Sequence, residues 1–156
     1  MKKKIYLAGL FAILSIAGCE NNEQTLVTHL DTESLSMSEC KTKESKNESS
    51  TNLREALIYK LQDDRTLSFT HENYYCGCST TDFKVDISCT TDTLAIYEEA
   101  IDDMLSNCLC PFDTRFAVKN LTVNNFVLKY VKAHYKDRPY YFKIDLDKEP
   151  EKALPL

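Results

Sequence analysis

Two Cys-x-Cys pairs, Cys76-Gly77-Cys78 and Cys108-Leu109-Cys110, restrict the folds open to this 156-residue chain more than any other feature. Four sulfurs at that spacing could hold a metal, cycle redox equivalents or cross-link the backbone. Structural zinc sites commonly close their tetrahedron with Cys-x2-Cys knuckles. Reactive dithiols place Cys-x-x-Cys at a helix start, where the thiol pKa falls. Here the spacing is shorter and the cysteines flank strand-like segments. Cross-linking is therefore the expectation, with no metal and no cofactor. Gly77 is the only glycine after residue 18, and between two cysteines it is expected to let the backbone bend so that both sulfurs reach partners.

The compartment supports this choice. Lys2, Lys3 and Lys4 precede an uncharged apolar run, IYLAGLFAILSIAG, too short for a comfortable membrane span and built like a signal peptide. Ile16-Ala17-Gly18-Cys19 resembles the lipobox of bacterial lipoproteins, whose cysteine is diacylated and becomes the new N-terminus. The resemblance puts the lipid on Cys19. It implies a membrane anchor and an outer-membrane lipoprotein of the cell envelope, in the periplasmic or the surface-exposed leaflet. Glu20 and Glu23 resemble the surface-export signal of Bacteroidetes lipoproteins. Cys40, Cys76, Cys78, Cys89, Cys108 and Cys110 remain, and an even count in a small exported domain reads as a disulfide framework.

Residues 1–18 carry three of the 19 basic groups and none of the 24 acidic ones, so the rest of the chain has a formal charge of −8. Phosphate backbones would repel it, and no basic cluster offers a counterion-releasing patch. Nucleic acid is thereby excluded as an expected partner. Residues 20–50 hold ten Ser or Thr, seven acidic residues and no aromatic, which is tether composition. The expected organisation is a signal peptide at 1–18, a lipidated, largely disordered tether at 19–51, a β-sandwich at 52–147 and a flexible tail at 148–156.

Within the sandwich, runs rich in Tyr, Phe, Val, Ile and Thr predict strands near 55–62, 66–75, 82–89, 93–98, 111–119, 125–132 and 139–146. The expected fold is all-β: an antiparallel sandwich of about seven strands, immunoglobulin-like or a small barrel. One short helix is expected over Glu98–Ser106, where Ile101, Met104 and Leu105 recur at helical spacing. Alternation selects an inward face that includes Leu57, Tyr59, Leu67, Phe69, Phe83, Val85, Leu94, Ile96, Phe112, Phe116, Val118, Phe126, Leu128, Tyr130, Tyr140, Phe142 and Ile144. Successive strands would deliver Cys76, Cys78, Cys108 and Cys110 to one end and leave Cys89 at the other. Two bridges are expected among the first four, with Cys40 pairing to Cys89 and pinning the tether.

His71 and Asn73 continue the inward row Leu67, Phe69, while Glu98 continues Leu94, Ile96. A histidine and a carboxylate thus approach one end of the core. They would form either an acid/base pair or a buried hydrogen-bonded pair. No nucleophile elbow, phosphate loop or His-Glu-x-x-His is present. The function expected is a binding or structural accessory at the envelope, with an envelope protein or glycan as partner. The alternatives are an envelope hydrolase using His71 and Glu98, or an inhibitor-like module presenting residues 99–107. Tyr135 and Tyr141 are the aromatics left over for stacking on a sugar.

Cys40-Lys41, the Leu67-x-Phe69-x-His71-x-Asn73 strand running into Cys76 and Cys78, Ile96-x-Glu98, and Cys108-x-Cys110-Pro111-Phe112-Asp113 together resemble a group of small cysteine-rich lipoproteins of gut Bacteroidetes whose function is not known. In that group the paired cysteines are often adjacent, whereas Gly77 separates them here. The resemblance implies an all-β lipoprotein and brings no activity with it. Asp92-Thr93-Leu94 likewise resembles the O-glycosylation acceptor of these bacteria, which would put a glycan on Thr93.

Overall fold

A computed structural model describes residues 29–41, 53–102, 108–133 and 138–156. The expected signal peptide, Cys19, Glu20, Glu23, Met104, Leu105 and Tyr135 lie outside the described residues. Nine strands are described: β1 (His29–Met37), β2 (Ala56–Leu61), β3 (Leu67–Gly77), β4 (Thr80–Cys89), β5 (Thr93–Asp102), β6 (Leu109–Lys119), β7 (Asn125–Lys132), β8 (Tyr140–Asp145) and β9 (Glu151–Pro155). They form two sheets, ordered β1-β6-β3-β2-β9 and β4-β5-β7-β8. The result is a disulfide-stapled all-β sandwich in which the sheets do not close into a barrel.

The alternation read from sequence builds the core between the sheets. Leu57, Tyr59, Leu67, Phe69, Leu94, Ile96, Phe116, Val118, Leu128 and Tyr130 are all buried in it. A smaller apolar cluster, Tyr74, Cys76, Ala100, Cys110 and Phe112, lies further along the same strands. All the strand pairs are antiparallel except β5 with β7, which run parallel. A parallel pair needs a long crossover between its strands, and β6, in the opposite sheet, supplies it.

Three expectations are corrected. The helix over Glu98–Ser106 is strand as far as Asp102, because Glu98 and Ala100 face inward and Tyr97, Glu99 and Ile101 do not. β4 and β7 pair with this segment on either side, and such ladders outweigh a local helical spacing. The expected tether contributes β1, antiparallel to β6 at one edge of the five-stranded sheet. The expected tail contributes β9, which closes the other edge against β2 and buries Leu154. Edge strands tolerate polar composition and a terminal proline such as Pro155, so neither segment carries the apolar run that marks an interior strand.

Gly77 also differs from expectation. It has no left-handed backbone conformation and continues β3. A Cβ at this position would sit 3.3 Å from a carboxylate oxygen of Asp102, so glycine here provides room for the β5 side chain rather than a bend. Asn73 takes the left-handed conformation instead, at φ 57°, and the β3–β6 register shifts between His71 and Tyr74. This β-bulge moves the inward row from His71 to Tyr74 and Cys76, so Asn73 does not continue it.

Leu154→Ala is expected to destabilise the protein by about 2–4 kcal/mol through lost burial and the cavity left behind. Lys152→Ala, at an exposed ion pair with Glu149, should change stability by less than about 1 kcal/mol. Urea unfolding monitored by circular dichroism would check both. Equal and negligible effects would place the C-terminal strand outside the cooperative fold.

Candidate functional site

Between the two apolar clusters, the central strands place polar side chains facing inward. β3 contributes His71, β6 Thr114, β5 Glu98, and β7 Tyr130 and Lys132, while Glu55 enters just before β2. The ladders set this layer, since His71 is paired with Thr114 across β3–β6 and Glu98 with Lys132 across β5–β7. His71 and Glu98 are both 0% exposed, as a core pair and as neighbours. The expected approach of these two side chains from different strands is what the structure contains.

The hydrogen bonds favour the protonated form of His71. His71 Nδ1 lies 3.1 Å from Glu98 Oε2, and Nε2 lies 2.8 Å from Glu55 Oε1. Both ring nitrogens face carboxylate oxygens, which accept only, so His71 satisfies both contacts as an imidazolium. Tyr130 Oη donates to Glu98 Oε2 and lies 2.7 Å from His71 Nδ1. Thr114 Oγ1 donates to the other oxygen of Glu98, and Lys132 Nζ donates to Glu55. Two acidic side chains thus meet two basic ones in this layer. Its edges are closed by Tyr74, whose ring stands edge-on to His71 at 4.8 Å between centroids and lies 4.8 Å from Lys132 Nζ.

The pKa directions follow. Burial alone would lower the His71 pKa, but the hydrogen bonds with Glu55 and Glu98 outweigh it and hold the imidazole above its ordinary 6.5. Burial would raise Glu55, yet the bonds from His71 and Lys132 bring it below its ordinary 4.5. Tyr130 is pushed well above the usual phenol range by burial first and by the Glu98 charge second.

Thr114, Tyr130, Lys132 and Glu55 are members that the sequence reading did not assign to this site. Their signal was present. Thr114 lies between Phe112 and Phe116, Lys132 follows Phe126, Leu128 and Tyr130, and Glu55 precedes Leu57 and Tyr59. Each is the polar member of an inward row, at the same end of the core as His71 and Glu98.

A second polar cluster fastens the segment after β1. Lys41 Nζ donates to Asn73 Oδ1 at 3.0 Å and pairs with Asp113 Oδ1 at 2.5 Å. The Asn73 amide donates to the same Asp113 oxygen at 3.1 Å. Ser38 exchanges bonds with Asp113 through its amide and its hydroxyl. Lys41, Asn73 and Asp113 come from three of the motifs quoted for the lipoprotein resemblance, and they meet around the β3 bulge.

The cysteines gather as expected at one end, with different partners. Cys78 bonds to Cys108, and Cys40 bonds to Cys110. Cys40 therefore ties down the segment after β1 through Cys110 and not through Cys89. The reason is β1: its pairing with β6 brings Lys41 to Pro111, whereas Cys89 sits opposite Leu94 in the other sheet. Cys76 is a buried free thiol. Of the expected 99–107 loop, residues 99–102 are strand and the remainder lies outside the described residues. Tyr141 is exposed. Thr93 Oγ1 donates to Asp92 Oδ1 at 2.9 Å in the β4–β5 turn.

Compared with protein-family models, curated proteins and solved structures, the chain matches none.

Two outcomes test the polar layer. Glu98→Ala removes one of the two carboxylates that face the buried His71 ring and leaves Nδ1 with the Tyr130 hydroxyl alone, and should cost about 3–5 kcal/mol. A melting temperature within a degree of wild type would show that the layer carries no structural load. The pH dependence has two limbs. His71 has a raised folded pKa, so its contribution is complete below pH about 6.5 and is lost as pH rises through the folded value. Glu55 has a lowered folded pKa, so its contribution is present above about 4.5 and is lost as pH falls through the folded value. Denaturant midpoints across pH should therefore decline on both sides of a central plateau. A midpoint that keeps rising into the alkaline range would contradict the imidazolium.

Proposed function

We propose that this chain is a lipid-anchored β-sandwich held at the cell envelope, where it acts as a binding or structural accessory. It is a protein of the small cysteine-rich lipoprotein kind that its motifs resemble. The observation that carries the accessory reading is the state of His71. A general base needs a free lone pair within reach of substrate, and this imidazole is fully buried with both nitrogens engaged by carboxylates. The one histidine–carboxylate pair assigned to a hydrolase is thus already used in joining the two sheets. Lys41, Asn73 and Asp113 are likewise used in fastening one segment to another.

The anchor reading rests on the leader, Lys2–Lys4 and the apolar run, ending in Ile16-Ala17-Gly18-Cys19. Acylation of Cys19 would hold the domain at a membrane, with dual acyl chains giving the two signals that stable anchoring requires. The partner is then an envelope protein or a glycan.

Full-length protein grown with an alkyne-bearing fatty acid is expected to incorporate the label and to sediment with membranes. Cys19→Ala should abolish both while leaving the sandwich folded. A soluble wild-type product without acyl mass would overturn the anchor. For the accessory role, an affinity capture from envelope membranes with a glycan array in parallel should enrich one partner, which the Cys19→Ala domain retains. Hydrolysis of an envelope substrate lost in His71→Asn with folding intact would overturn that role in favour of the hydrolase.

A further inference from the structure

We propose that Cys110 is a branch point between two disulfide partners, and that the Cys76 thiol displaces Cys40 from it by internal thiol–disulfide exchange. This goes beyond the anchoring and accessory roles and rests on neither. Cys76 and Cys110 are directly opposite each other on the antiparallel β3–β6 ladder. Facing residues in such a ladder have Cα atoms about 4.5–5.5 Å apart, inside the range of about 4.4–6.8 Å that a disulfide spans. The bonded pair, Cys40 and Cys110, is separated by 5.7 Å. Cys110 therefore has one partner in the loop after β1 and a second across the ladder, and all three cysteines pack in the same small apolar cluster.

The chemistry closes without an external oxidant. The Cys76 thiolate attacks Cys110 Sγ and forms the new S–S bond. The Cys40–Cys110 bond breaks, its electron pair leaves on Cys40 Sγ, and Cys40 takes up the proton that Cys76 gave up. One disulfide and one thiol are present before and after. What changes is the attachment of edge strand β1. In one isomer its following segment is tied covalently to β6; in the other it is held only by hydrogen bonds and the Lys41–Asp113 pair.

The surroundings set the rate. Burial pushes the Cys76 thiol pKa up. Asp102 and Glu98 of β5 push it the same way, while a hydrogen bond with Thr80 of β4 and the Lys132 ammonium of β7 oppose them. The thiolate is therefore scarce at neutral pH, and exchange should accelerate about tenfold per pH unit until the thiol titrates.

The test uses the full chain purified without reductant and held at pH 7, 8 or 9 with iodoacetamide, then mapped as non-reduced peptides. Wild type should accumulate a Cys76–Cys110 link together with alkylated Cys40, about tenfold faster at pH 9 than at pH 8. Cys76→Ser should leave Cys40 unlabelled, and Cys89→Ser should label like wild type. Cys40→Ser, refolded with oxidised glutathione as oxidant, should join Cys76 to Cys110 and retain Cys78–Cys108. The proposal is overturned if wild type shows no Cys40 label after a day at pH 9, or if Cys76→Ser labels Cys40 as fast. It is also overturned if Cys40→Ser leaves Cys110 alkylatable, a result that stands even where Cys76→Ser fails to fold.

Discussion

The imidazolium of His71, set between Glu98 of one sheet and Glu55 of the other, is the interaction on which the rest of this sandwich depends. Apolar side chains hold the sheets together, but they do so without direction and would tolerate a slip. Charge and hydrogen bonding do not. A two-residue slip of β5 against β7 would preserve the alternation, yet it would move Glu98 out of register with Lys132. An uncompensated buried charge costs several kcal/mol. The polar layer therefore discriminates among registers that the apolar rows alone leave nearly equivalent. Whether it adds net stability over an apolar replacement is a separate matter, since desolvation consumes much of what the ion pairs return.

The β3 bulge serves the same layer. Asn73 in the left-handed conformation shifts the register after His71, so that Tyr74 rather than Asn73 turns inward and packs its ring against both His71 and Lys132. The Asn73 side chain, freed from the core row, accepts from Lys41 and donates to the Arg54 carbonyl. One irregularity thus closes the polar layer from one side and fastens two incoming segments on the other. Its position accounts for why a Lys, an Asn and an Asp that are far apart in sequence converge.

The disulfide end is arranged around the edge strand. β1 has few apolar side chains to bury, and the bonds from Ser38 and Lys41 to β6 and the Cys40–Cys110 bridge supply what its burial does not. At the other edge β9 buries Leu154 and is held by its ladder with β2. Both edges of the five-stranded sheet are thereby formed by polar strands, and β9 is also short, features that discourage pairing with other chains. The covalent tie falls on the segment just after edge strand β1.

The sequence by itself determined the all-β class, the inward rows of the central strands and the meeting of His71 with Glu98, because a period of two transmits directly from residue order to sheet face. It also carried the clustering of four cysteines at one end, since strand lengths alone decide which end each turn occupies. Only the tertiary structure decided the partners. Cys40 finds Cys110 because β1 pairs with β6, and nothing in HLDTESLSM announces an edge strand. Glu98 to Asp102 is strand because ladders on both sides override a local helical spacing. Thr114, Lys132 and Glu55 become ligands of a charged layer because strands distant in sequence align in register. Periodicity is a local property and was legible, whereas pairing is a choice among many distant segments, made by the packing and charge balance of the assembled sheets.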